Sequence, residues 1–150
     1  MPLPPPSLKG RALRYLAARE HSRAELERKL APHVQEGEDL AAVLDALQAK
    51  GFIDEQRVVA SVLHQRAGKL GALRIRQELQ AKGLDPDAVR QAVAQLQDSE
   101  LARAREVWRR KFGAPPADAA ARAKQMRFLA TRGFGAETIR RVVACASDED

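Results

Sequence analysis

Few side chains in this sequence are placed to do covalent chemistry. The histidines, His21, His33 and His64, fall in separate segments, and Cys145 is the single cysteine. No HExxH pair, paired-cysteine ligand spacing or GxxxxGK[ST] phosphate loop occurs. Scattered imidazoles offer neither a metal ligand set nor a base with an orienting partner, so they are expected to be exposed at helix ends. Cys145 has no disulfide partner, which fits a reducing cytoplasm. It lies beside an apolar stripe, where a partly buried structural thiol is expected. The reading is a non-enzyme without metal or cofactor.

The cations say more. The chain carries 26 Lys and Arg against 20 Asp and Glu, a balance of +6. Residues 98–147 hold eleven of the cations against five acids, residues 54–97 seven against five, and residues 8–53 eight against seven. The surplus gathers in Arg103, Arg105, Arg109, Arg110 and Lys111, then in Arg122, Lys124, Arg127 and Arg132, then in Arg140 and Arg141. On a helix Arg105 and Arg109, four apart, share a face. A smaller set, Arg66, Lys69, Arg74 and Arg76, surrounds the central glycines. Any one of these is accounted for by a solvated face or a cation near a helix C-terminus. Together they repel one another, and an acidic protein surface or nucleic acid would relieve that repulsion. Aromatics are only 4% of the chain and fall where a core needs them, so a stacking platform for bases is not expected. Affinity for nucleic acid should be weak, phosphate-based and without strong sequence preference.

Helices must position these cations, because no stretch alternates as a strand does. Leu8, Ala12, Leu13 and Leu16 share a face; Ser22 to Glu25 reads as a capping box opening a helix with Leu26 and Leu30 inward, stopped near Pro32. Leu40, Val43, Leu44 and Leu47 line a third helix, with Gly51 as a left-handed cap and Phe52 folded over the end. Asp54 caps a helix bearing Val58 and Val62, Leu73 to Leu79 form the next, and Asp85-Pro86 starts another with Val89, Val93 and Leu96. A third round opens near Asp98, breaks at Ala114-Pro115-Pro116, resumes near Asp118 and ends in a helix with Glu137 in its first turn.

That gives an all-α chain of nine short helices. Leu79, Gly83, Val89 and Val93 match Leu129, Gly133, Ile139 and Val143 at one offset, so the helices are expected as three tandem three-helix repeats over residues 8–53, 54–97 and 98–147, forming an elongated, curved array. A single nine-helix globule with chance similarity is the other reading. Residues 1–7 are a Pro-rich arm and 148–150 an acidic tail. No apolar run reaches the roughly 18 residues of a membrane span, and no secretory signal opens the chain, so a cytoplasmic location is expected.

Three segments carry a resemblance. They are SRAELERKL at 22–30, GFIDE at 51–55 followed by GALRIRQELQAKGL at 71–84, and RFLATRGFGAETIRRVV at 127–143. In this order and spacing the chain resembles the RecX family, regulators of the RecA recombinase. It departs at Val58-Val59-Ala60, where the family often has a Tyr-Ala pair. The resemblance implies a threefold helix repeat that binds, as a monomer, in the groove of the RecA–DNA filament. It further implies lowered recombinase, ATPase and co-protease activity, and so a place in homologous recombination, DNA repair and the SOS response. The cations above would then meet RecA or DNA. The alternative is an autonomous helix-turn-helix DNA-binding regulator built on residues 22–47. That unit is nearly neutral, and its candidate reading helix carries Asp45.

Overall fold

A computed structural model describes residues 5–148, and their side chains as far as residue 144. Most of the Pro-rich arm, the end of the acidic tail and the Cys145 thiol lie outside the described residues. The described residues form α-helices and one 3-10 turn, with no strand among them. The first repeat comprises α1 (Leu8–Ala18), α2 (Arg23–Leu30), the 3-10 turn Ala31–His33 and α3 (Leu40–Ala49). Next come α4 (Glu55–Arg66), α5 (Ala72–Ala81) and α6 (Pro86–Lys111), then α7 (Ala119–Thr131) and α8 (Ala136–Asp148).

The caps are chemical. Ser22 Oγ accepts from the Glu25 amide while the Glu25 carboxylate accepts from the Ser22 amide, closing the predicted capping box. Asp39, Asp54, Asp85 and Asp118 each accept a first-turn amide at the starts of α3, α4, α6 and α7. Gly71 has no side chain to cap α5, and Glu100 of α6 serves instead, accepting from the Ala72 amide at 3.1 Å. Phe52, expected over the end of α3, is 45% exposed; the next residue, Ile53, enters the core in its place.

Three separate apolar cores result. One gathers Leu8, Ala12, Leu26, Leu30, Leu44, Leu47 and Ile53. The second joins Val58, Ile75, Leu79, Val89 and Leu96, and the third joins Ala104, Leu129, Phe134, Ile139 and Val143. Each buried branched side chain stabilises by about 1.5–3 kcal/mol. Cores of seven to nine buried residues are small, so each repeat also leans on its neighbour.

The expectation of nine separate helices is corrected. The restart near Asp98 does not exist: α6 runs unbroken for 26 residues and serves as the last helix of repeat 2 and the first of repeat 3. Asp98, Ser99 and Glu100 are polar, but no glycine occurs between Pro86 and Lys111, and polarity alone does not stop a helix. Ser99 bonds back to the Leu96 carbonyl within the helix.

Candidate binding groove across the repeats

Two joints of like design align the repeats. At each, the turn after the second helix of one repeat docks on the start of the second helix of the repeat before. At the first joint the turn is Lys82-Gly83. The Lys82 carbonyl accepts from Ser22 Oγ at 2.5 Å, and the Ala81 carbonyl accepts from Arg28 at 2.9 Å. At the second the turn is Arg132-Gly133, fifty positions on. The Arg132 carbonyl accepts from the Gly71 amide at 2.8 Å, and the Thr131 carbonyl accepts from Arg74 at 2.8 Å. Gly83 and Gly133 both have positive φ, +71° and +93°. At Gly133 a Cβ would stand 2.3 Å from the Arg74 side chain, and at Gly71 a Cβ would stand 2.4 Å from the Gly133 backbone. Only glycines permit the second joint.

The first joint is ionic. Glu25 is buried and meets Arg19 at 2.7 Å and Lys82 at 3.3 Å. Burial pushes its carboxyl upward, but the Arg19 guanidinium, the Ser22 amide and the Lys82 ammonium outweigh that and hold it at about 2. His21, expected to be exposed, is 1% exposed and lies beside Tyr15. Its Nδ1 faces the Arg19 carbonyl at 3.0 Å and its Nε2 faces Lys29 Nζ at 2.9 Å. The carbonyl can only accept and the ammonium can only donate, so the imidazole is neutral with its proton on Nδ1. Burial is the main cause of its lowered pKa. It is a structural histidine buried within repeat 1, beside the joint residues Arg19 and Ser22; His33 and His64 are exposed as expected.

Three hollows follow the joints. One of about 220 Å³ is lined by Arg19, Glu20, Arg66, Glu78 and Lys82 among others. A second, about 460 Å³, shares Arg66 and Glu78 with it and adds Lys69, Arg74 and Arg132. A third, about 240 Å³, shares Lys69 and Arg132 with the second and adds Arg110 and Lys111 over a floor of Val107 and Phe128. Shared walls make them one groove that crosses all three repeats, with eight cations and two carboxylates along it.

The cations differ along its length. Arg19 and Lys82 are held by Glu25, and Arg66 by Glu78 at 3.3 Å. No carboxylate pairs with Lys69, Lys111 or Arg132 among the described residues. Lys111 and Arg132 instead lie over the Phe128 ring, at 5.5 and 4.9 Å from its centroid. The open positive charge therefore concentrates where repeats 2 and 3 meet.

Of the residues singled out from the sequence, Arg66, Lys69, Arg74, Arg110, Lys111 and Arg132 line this groove. Arg103 does not face solvent as a ligand-binding cation would. It is half-buried and donates to the carbonyls of Ala67, Leu70 and Leu96, tying α6 to the turn after α4. Arg105 is exposed on α6; Arg109 and Arg110 both pair with Glu106. Arg76, Arg122, Lys124 and Arg127 are exposed on α5 and α7, and Arg140 and Arg141 pair with Glu137. Arg19, Lys82 and Phe128 were not foreseen. The repeat could have found Lys82, since it is the counterpart of Arg132.

Against this geometry, comparisons with known proteins are decisive. Models of the first, second and third three-helix domains of RecX match residues 9–47, 54–93 and 98–143. The chain belongs to the RecX family. It is 58% identical to the regulatory protein RecX of Leptothrix cholodnii over 95% of this chain and 91% of that one. Identity to the Herbaspirillum seropedicae RecX is 51%, covering all of this chain and 98% of that one. A RecX crystal structure from Lactobacillus salivarius superposes with a TM-score of 0.72 at 20% identity, over 93% of this chain and 94% of that one. Another RecX crystal structure gives 0.73 at 21% identity, over 92% and 71%. The fold expectation thus holds: the chain is all-α, with three tandem three-helix units, the second and third of which share the α6 rod.

Proposed function

We propose that this chain is a non-enzymatic modulator of RecA that lodges in the groove of the RecA–DNA filament and lowers recombinase, ATPase and co-protease activity. The observation that carries the reading is the continuous cationic groove across all three repeats. A long, open, positively lined surface suits an extended acidic partner better than an enclosed small substrate. The chain would contact neighbouring RecA protomers and lie near their DNA, obstructing a second DNA or a repressor substrate. It would do so in the cytoplasm, as a monomer, during homologous recombination and the SOS response. Bare nucleic acid would bind weakly, through phosphates alone.

The helix-turn-helix alternative finds little support in repeat 1. On α3 the acid Asp45 is paired with Arg23, and the helix itself carries no cation, Lys50 standing at its C-terminal cap. One experiment separates the two readings. The chain is titrated, below one molecule per protomer, into RecA assembled on single-stranded DNA, and ATP turnover is followed beside binding to duplexes of varied sequence. The filament reading predicts slowed turnover and less than tenfold difference between duplexes. Unchanged turnover with tight binding to one duplex would favour the alternative.

A further inference from the structure

The floor of the groove holds a carboxylate that the cationic reading leaves unused. Glu78 of α5 lines both the 220 Å³ and 460 Å³ hollows, at the middle of the groove. Its side chain is 29% exposed and makes one ion pair, Oε2 to Arg66 Nε at 3.3 Å. It accepts no side-chain hydrogen bond among the described residues. An ionised carboxylate has about four acceptor positions, and Arg66 engages only part of that capacity. The other groove acid, Glu20, lies at the repeat 1 end of the groove and accepts from Arg57 Nε at 3.0 Å.

We propose that Glu78 is the specificity-determining residue of the groove, admitting a protein surface that offers a donor and disfavouring a bare phosphodiester strand. A phosphodiester backbone carries acceptors and negative charge only. Laid along the groove, it meets Lys69 and Arg132 favourably, then places phosphate against a carboxylate with nothing to donate. It must also compete with Glu78 for Arg66. A protein surface can present an ammonium, a guanidinium or a backbone N–H at that point, completing the Glu78 shell while its acids meet the neighbouring cations. An acid at the middle of the groove, with Glu20 the only other among eight cations, thus turns general attraction for anions into selection.

The inference rests on the filament reading for its protein arm only. The test is Glu78→Gln beside Glu36→Gln, an equal change of charge at an exposed loop residue outside the groove. Fluorescence anisotropy with a mixed-sequence single-stranded oligonucleotide should show Glu78→Gln binding roughly three- to tenfold tighter than the parent, with a steeper salt dependence. Glu36→Gln should stay near the parent. Affinity for preassembled RecA filaments should fall or hold, so that the filament-to-oligonucleotide ratio drops. Equal oligonucleotide affinities for the two variants would overturn the proposal, as would an equal rise for both ligands. The oligonucleotide arm needs no recombinase. If the parent chain fails to bind filaments, that failure counts against the filament reading, and the oligonucleotide arm still decides whether Glu78 excludes phosphate.

Discussion

At the scale of single residues, the first joint concentrates the acid-sensitive chemistry. The Glu25 carboxyl titrates at about 2 in the folded chain, below its ordinary 4.5. The unfolded chain therefore takes up that proton first, so the stability Glu25 confers is full above about 4.5 and is lost as pH falls toward 2. His21 is shifted down from 6.5, chiefly by burial. Below 6.5 the unfolded chain gains a proton that the folded chain resists, so acid opposes folding here too. Thermal unfolding followed from pH 7 to 3 should show the midpoint falling throughout. Glu25→Gln should cost about 1–3 kcal/mol at pH 7, and its deficit should shrink below pH 4.5. A deficit independent of pH would show that the carboxylate charge is not what holds the joint. The capping box was legible from Ser22 and Glu25 because it is local. The burial of His21 was not, because it depends on the packing of Tyr15 and Lys29 from neighbouring helices around it, which leaves no local pattern.

Among the helices, α6 and the glycine turns decide the architecture. The repeat was readable from Leu79 to Val93 and its counterpart fifty residues on, since both turns need the same left-handed glycine. The fusion of two helices into α6 was missed because polar residues at 98–100 resemble a cap when no breaker is required to confirm it. The backbone docking of Gly71 on Gly133 was equally hidden, since a close tertiary approach has no period. Gly133→Ala should destabilise by at least about 2 kcal/mol, through the positive φ and the collision with Arg74. Gly135→Ala meets nothing within 4 Å and should lie within about 0.5 kcal/mol of the parent in chemical denaturation. Gln97→Pro, at the midpoint of the rod, should cost about 3 kcal/mol or more and separate the unfolding of repeats 2 and 3. Hydrogen exchange would report that as two protection classes in α6 where the parent shows one.

For the whole molecule, the distribution of charge matters more than its sum. The sequence located the positive surplus in the last third correctly but could not say which cations share a wall. Arg103 is turned inward and Arg109 is engaged by Glu106 outside the groove, whereas Lys69 and Arg74 of repeat 2 join Arg110, Lys111 and Arg132 of repeat 3. Only the docking of two repeats makes that set. Affinity for bare DNA should accordingly be modest and fall steeply with salt, by about 0.7 log unit per log unit of salt for each phosphate contacted on a single strand.

The most direct test of the account compares two triple charge reversals on RecA-filament ATP turnover, with helicity checked by circular dichroism. One is Lys69→Glu, Arg110→Glu and Lys111→Glu in the groove; the other is Lys9→Glu, Arg14→Glu and Lys50→Glu, exposed on repeat 1. Both change the net charge equally. The account predicts that the groove variant loses inhibition by at least about tenfold in effective concentration while the repeat 1 variant keeps most of it. Equal losses, or a fully inhibitory groove variant, would contradict it.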